Sequence, residues 1–177
     1  ASSSQDTAPI SHPRLALQGP GGNRLVIEPG EAVLLKADDP LRSAELLSLL
    51  AGLSRSPDYQ ADINGQAIPD LHPLALRRTV ALVTKEAALV SGTILSNLTL
   101  FDPRFNEAAH SLAEQLDLLR FTNTLRSGLL TEVGPLAAQT LSAGLTQRIA
   151  LIRALVRRPR VLLLDNAGAD LDMDGQK

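Results

Sequence analysis

The stretch that most restricts the fold is VLLLD, Val161 to Asp165, which follows a helical segment closed near Pro159. Four apolar residues in a row, without polar alternation, read as a central strand buried on both faces, the kind found in parallel sheets covered by helices. TVALVT, residues 79 to 84, has the same character. Ahead of the VLLLD strand, Ser142 opens a long helix running through Val156. A further helix is expected from Asn106 to Leu119, where Ala108, Leu112, Leu116 and Leu119 fall along one side. Strands alternating with helices favour an α/β fold with a mainly parallel sheet and helices on both faces. Ligands of such sheets gather at the carboxyl ends of the strands, which directs attention to Asp165 and to the turn after Lys36.

That turn lies in LLKADDPLRSAELLSLLAGL, residues 34 to 53. Upstream, RLALQ and NRLVIEPGEAVLLK carry β signals separated by GPGG, and Pro29-Gly30 marks another turn before a strand over Ala32 to Lys36, so a small antiparallel layer is expected. The helix from Pro40 to Leu50 has a self-contained start, because Asp39 can cap it and Pro40 suits its first position. Strand, turn and helix in this order build phosphate cradles. A cradle needs glycines so that the backbone can take positive φ and approach the phosphates, and a lysine to neutralise charge. ADDPLRSAE offers neither.

The 177 residues, 44% of them hydrophobic, suffice for one soluble domain with a sizeable core. A net charge of −2 without any Lys/Arg block, and only 2% aromatic residues, exclude nucleic acid as the expected partner. Without cysteine there is neither a disulfide framework nor a thiolate metal site, and His12, His72 and His110 are too scattered to form one. The lack of cysteine fits a reducing compartment. No apolar run approaches about 18 residues, and the polar start, residues 1–13, reads as a tail or linker ahead of a domain over 14–177.

LSAGLTQRIALIRALVRRPRVLLLDNAGADLD, residues 141 to 172, strongly resembles the signature helix, Walker B strand and D-loop of the nucleotide-binding domain of ABC transporters. Members of that family read close to LSGGQRQR, then a helix ending in ARAL, a basic-proline turn, a four-residue apolar strand, Asp-Glu and SALD. VTKEAALVSGTILSNLTLFDP, residues 83 to 103, is similar to the Q-loop region of exporter-type members, and PGEAVLLK with LLSLLAGL flank the Walker A turn. The resemblance spans about residues 25 to 172, with EVGPLAAQT about one residue longer than is usual. It implies a P-loop NTPase-like fold with a helical subdomain over about residues 86–146, and it implies ATP and magnesium as cofactors.

Carried over residue by residue, the resemblance places the Walker A motif on Ala37, Asp38, Asp39, Pro40, Leu41, Arg42, Ser43, Ala44 and Glu45. Ala37, Pro40 and Arg42 stand where the glycines should be, Ser43 at the lysine, and Ala44 with Glu45 at the Ser/Thr pair. A one-residue slip would let Arg42-Ser43 stand in for Lys-Ser, with the glycines still missing. Lys85 occupies the position of the Q-loop glutamine. It is either a solvated lysine, or an ion-pair partner of Glu86 or Asp165, or a charge filling the metal position. Asp165 keeps the Walker B aspartate and could hold magnesium or merely bond to neighbouring backbone amides. Asn166 replaces the catalytic glutamate. Ser142 and Gly144 of the signature remain, while Ala143 and Leu145 replace its first glycine and its glutamine. The D-loop keeps Leu171 and Asp172. The C-terminal strands and switch histidine that follow in the family are expected to be absent, and His12 is the only ring near the adenine-stacking position.

The physical reading of these positions is a site without grip. Asp38 and Asp39 would face the phosphates, and at about 5 Å and an effective dielectric of about 20 each carboxylate opposes a unit charge by about 3 kcal/mol. A micromolar affinity amounts to only about −8 kcal/mol. Asn166 cannot act as a general base, since a neutral amide takes no proton near pH 7. Ser142 differs: as the cap of a long helix followed by Gly144, it can present a hydroxyl, amides and a positive helix end to a phosphate. In the family this motif acts across a dimer on the partner's nucleotide.

The expectation is therefore a degenerate ATP-binding domain of a bacterial-type exporter, unable to hydrolyse ATP by itself and binding it weakly or not at all. Its partners would be a transmembrane part in the same or another polypeptide and a second, competent nucleotide-binding domain, at the cytoplasmic face of the inner (plasma) membrane. Two alternatives stand beside it: a non-transport protein-interaction module on the same fold, and a weak residual ATPase using Arg42 and Asp165.

Overall fold

The computed structural model describes residues 7–36, 39–84, 88–134 and 141–166. The described residues form two compact units, one built from those up to Leu82 together with Pro159–Asp165, the other from those between Val83 and Arg158 together with Asn166.

In the first unit, β1 (Leu15–Gln18) pairs antiparallel with β2 (Arg24–Ile27) and with β3 (Gln60–Ile63), and β3 pairs with the short β4 (Gln66–Ala67). This is the small antiparallel layer expected near the N-terminus, with an extra hairpin. Asn64 and Gly65 form its two-residue turn with φ of 54 and 81°, the double positive φ that an Asn-Gly hairpin turn requires. The Asn-Gly dipeptide is itself a hairpin signal in the sequence. Within residues 1–13, read as a tail or linker, the described part is fastened to the unit: the amide of Ile10 donates to Thr79 Oγ1 at 2.8 Å and Arg78 donates to the carbonyl of Thr7 at 2.9 Å.

Helix α1 (Pro40–Leu50) has the expected bounds. It buries Leu46, Leu49 and Leu50 against Leu15, Leu17, Ala61 and Ile63 of the sheet and Leu76 of α2 (Pro73–Thr79), each such side chain worth about 1.5–3 kcal/mol. Gly52 ends the helix at φ 72°, where a Cβ would collide with Leu76. β5 (Val80–Thr84) and β8 (Val161–Asp165) form a separate two-stranded sheet, and β8 packs against α1.

Two expectations fail here. Ala32 to Lys36 form no strand, and Val33 and Leu34 are 47% and 77% exposed. Nor is β8 buried on both faces: Leu163 is covered, while Leu162 and Leu164 are 36% and 49% exposed. The causes differ: among the described residues the 32–36 stretch has no strand beside it, whereas on β8 it is the face carrying Leu162 and Leu164 that lacks a covering layer, the opposite side chain Leu163 being packed in the core.

The second unit is mainly helical. β6 (Gly92–Thr93) pairs antiparallel with β7 (Glu132–Val133), and α3 (Ile94–Thr99), α4 (Asn106–Gln115), α5 (Leu118–Thr122) and α6 (Ala143–Leu155) surround a core. Ile94, Leu98, Ala109, Ala113, Leu118, Ile149 and Ile152 are fully enclosed there. The helix expected as continuous from Asn106 to Leu119 is broken at Asp117, which takes a left-handed φ of 56°. Aspartate tolerates that conformation, and the bend turns Leu118 into the core. On α6, Leu145, Ile149 and Ile152 supply the buried stripe.

Candidate functional site

The turn before α1 is closed by its own chain. Asp39 Oδ1 accepts the amide of Leu41 at 3.0 Å, and the Asp39 carbonyl accepts the amides of Arg42 and Ser43 at 3.1 and 3.4 Å. Pro40 has no N–H to offer. The amides of the first turn, the groups that an anion at a helix N-terminus would bind, therefore already have acceptors. Leu41, Arg42 and Glu45 are exposed and Ser43 and Ala44 are half-buried. Ala37 and Asp38 lie outside the described residues. Among the described residues of this turn the backbone donors are taken, an aspartate carboxylate sits at the helix start, and there is no glycine.

The start of α6 is chemically different. Ser142 Oγ accepts the amide of Leu145 at 3.3 Å, and the Ser142 carbonyl accepts the amides of Leu145 and Thr146, both at 3.1 Å. Among the described residues no acceptor takes the amide of Ala143 or Gly144. The first turn carries no acidic residue, Ser142 and Ala143 are exposed, and Gly144 is buried. A hydroxyl and two amides thus sit at the positive end of a thirteen-residue helix.

Asp165 ends β8 half-buried, on the strand that packs against α1. Asn166 follows, exposed and at φ 50°, a left-handed conformation that asparagine adopts far more readily than glutamate. His12 is exposed at φ 51° on the N-terminal segment. Lys85, its possible partner Glu86, Leu171 and Asp172 lie outside the described residues. Among the described residues no group of three or more metal-ligating side chains occurs, and no helix is long and apolar enough to cross a membrane. The structure thus places the Asp39–Glu45 turn and Asp165 in one unit and Ser142–Gly144 in the other.

Sequence reasoning missed two buried polar groups of the helical unit. Asn97 and Arg153 form a hydrogen-bonded node, and Gln147 is 2% exposed with its Nε2 finding no acceptor among the described residues. An Arg or Asn in an apolar-periodic helix hints at such partners but does not say which residues they are.

Known proteins share this architecture. The ABC transporter BEA3 of Gibberella fujikuroi is 34% identical over 159 residues, covering 88% of this chain. The ABC-type transporter kk1G of Curvularia clavata is 32% identical over 154 residues, covering 86%. The chain spans only 12% and 11% of the length of these two relatives. A bacterial Atm1-family ABC exporter solved with ATP bound superimposes with a TM-score of 0.81 at 24% identity over 94% of this chain and 32% of that one, which speaks for the ABC ATPase type of P-loop NTPase fold. The sequence profile described as ABC transporter matches residues 43–169. From the profile, the relatives and the fold together, the chain belongs to the ABC transporter family.

Proposed function

We propose that this chain is the nucleotide-binding domain of an ABC exporter whose own Walker A turn does not hold ATP and which does not hydrolyse it alone. Its work would be that of a structural or regulatory half, with Ser142 and the amides of Ala143 and Gly144 facing a nucleotide held by a competent second domain. The observation that carries this reading is the set of hydrogen bonds from Leu41, Arg42 and Ser43 to Asp39. To admit phosphate oxygens the turn would have to give up those bonds and bring two negative groups together. Asn166 supports the same conclusion for chemistry, since its amide cannot take the proton of an attacking water. When bound in a competent site of this family, magnesium-ATP supplies the phosphoryl group whose transfer drives transport. This chain's contribution would be hydrogen bonds to that phosphate from the α6 end.

The remaining partner would be a transmembrane part of an exporter, placing the domain at the cytoplasmic face of the membrane. Val90, Leu100 and Phe101 support a covered surface on the helical unit, being 49%, 43% and 54% exposed around α3.

Calorimetric titration of magnesium-ATP into the protein tests the reading. No saturable heat is expected up to millimolar ligand, and a micromolar Kd that weakens on changing Arg42 to alanine would establish the residual ATPase site instead. Addition of the protein to a competent domain should raise that domain's ATP turnover. No such rise, together with no ATP binding, would favour a module that only binds proteins.

A further inference from the structure

A cavity of about 710 Å³ lies in the first unit, between the N-terminal segment, the β3–β4 hairpin and the start of α2. Small-molecule sites span about 300–1,000 Å³. Ala8 to Ser11 form one wall, and the chain on either side of that wall is fastened. Toward α2, the amide of Ile10 donates to Thr79 Oγ1 at 2.8 Å and Arg78 donates to the Thr7 carbonyl at 2.9 Å. Toward the hairpin, the Arg14 amide donates to Asn64 Oδ1 at 2.8 Å and the Asn64 amide to the Arg14 carbonyl at 2.9 Å. Thr79 is fully buried and donates in turn to the Ala75 carbonyl at 2.7 Å. The wall therefore belongs to the fold.

The lining divides by chemistry. Ile63 and Ala75 are buried and Ile10 and Leu71 half-buried, which gives an apolar floor. Ser11, Gln66 and Asp70 are exposed and form a polar rim. Gln66 Nε2 donates to the Asp70 carbonyl at 3.1 Å, which leaves Oε1 as an acceptor. Nδ1 of His72 accepts the Leu74 amide at 3.2 Å, so the neutral ring carries its proton on Nε2. With that ring neutral, Asp70 holds the one formal charge among the described lining residues. An anion is repelled by that carboxylate, and the amides of Leu74 and Leu76 are already turned to His72. No Phe, Tyr or Trp lines the cavity among the described residues, so the aromatic faces that select quaternary ammonium groups are missing.

We propose that this cavity is a binding site for a small primary amine in its ammonium form, carrying one apolar arm. The ammonium brings three N–H donors, and the Asp70 carboxylate, Gln66 Oε1 and Ser11 Oγ are the acceptors that meet them. The arm covers Ile10, Ile63, Leu71 and Ala75. A ligand seated there touches both the N-terminal segment and the body of the unit, so occupancy stabilises the docked segment by mass action. The site uses no residue of the Asp39 turn or of the α6 start, so it stands or falls apart from the proposed function.

Amide NMR of the full chain, titrated with phenethylammonium chloride at constant ionic strength, tests the site. Saturable shifts are expected at Ile10, Ser11 and Leu71, with a midpoint of about 1 mM, while Ala109 and Ala113 of α4 stay in place. Asp70→Asn, which changes charge but not size, should weaken binding about fivefold, the effect of an exposed ion pair. The neutral analogue 2-phenylethanol should bind the parent at least about fivefold more weakly. No saturable shift, shifts equally large at Ala109 and Ala113, equal binding of the alcohol, or parental affinity in Asp70→Asn each overturns the proposal. Should Asp70→Asn not fold, Gln66→Glu decides the matter by adding a second carboxylate at the rim. Tighter binding in that variant upholds the site, and parental or weaker binding overturns it.

Discussion

Helices α1 and α6 both start with a polar cap, yet their first turns do opposite things. At α1 the cap is an aspartate, the next residue is proline, and the amides of Leu41, Arg42 and Ser43 are consumed by Asp39. At α6 the cap is a serine, the next residues are alanine and glycine, and only Leu145 and Thr146 turn their amides to Ser142. A helix N-terminus carries the equivalent of about half a positive charge wherever it occurs. Whether it can serve a ligand depends on whether the chain has already filled it, and with what charge.

The comparison breaks most visibly if α6 is made to resemble α1. Ala143→Asp places a carboxylate in the first turn, where it favours the helix by a few tenths of a kcal/mol but opposes a phosphate by about 3 kcal/mol, or about 100-fold. Stimulation of a competent partner's ATP turnover should fall by that factor while the melting temperature holds or rises. A loss of stimulation that merely tracks unfolding would show that α6 has no such role.

Changes at α1 should be smaller and should separate cap from charge. Asp39→Ala removes the acceptor of the Leu41 amide and is expected to cost about 1 kcal/mol in denaturant titrations. Asp39→Asn keeps an acceptor and should stay within about 0.5 kcal/mol of the parent. If the two variants are equally destabilised, the carboxylate charge matters and the cap does not.

A comparable gain is expected inside α6. Gln147→Met retains side-chain volume and removes the buried, unpartnered Nε2, so stability should rise by about 1 kcal/mol. The start of the helix, one turn away, is untouched, so stimulation of a partner should not change.

Asp102 offers the smallest effect and a control. It too precedes a proline and caps a short turn, with Oδ1 accepting the amide of Arg104 at 3.1 Å, but here an arginine answers the charge. The hydrogen bonds from Arg104 lower its pKa from 3.8 to about 2. A carboxyl with a depressed folded-state pKa contributes stability above its unfolded value, and that contribution fades as pH falls from about 4 toward 2. Asp102→Asn should therefore be slightly less stable than the parent at pH 7, with the difference shrinking as pH falls and gone only below about pH 2. Parallel curves over the whole range would remove the linkage.

The same contrast explains what could be read in advance. Asp39-Pro40 and Ser142 were recognisable as helix starts, and the bounds of α1 followed, because a cap acts on amides two or three residues away. The pattern over residues 141 to 172 also carries the family resemblance on its own. The break at Asp117 is not legible in the sequence, since Ala108, Leu112, Leu116 and Leu119 fit one helical stripe on their own. Only the enclosure of Leu118 by the helical core selects the bend. Likewise VLLLD announced a strand correctly, but whether both of its faces are covered depends on neighbours that its own residues do not specify.

By itself the sequence determined the family, the order of strands and helices around the two helix starts, and the chemistry placed at each, since these rest on contacts spanning a few residues. Tertiary structure decided which amides are already occupied at α1, why Leu162 and Leu164 remain uncovered, and that Arg153 finds Asn97 from 56 positions away. The physical reason is range: a cap or an apolar stripe is settled by the local backbone, whereas a strand edge or a buried polar group is settled by whichever distant segment supplies its hydrogen bonds.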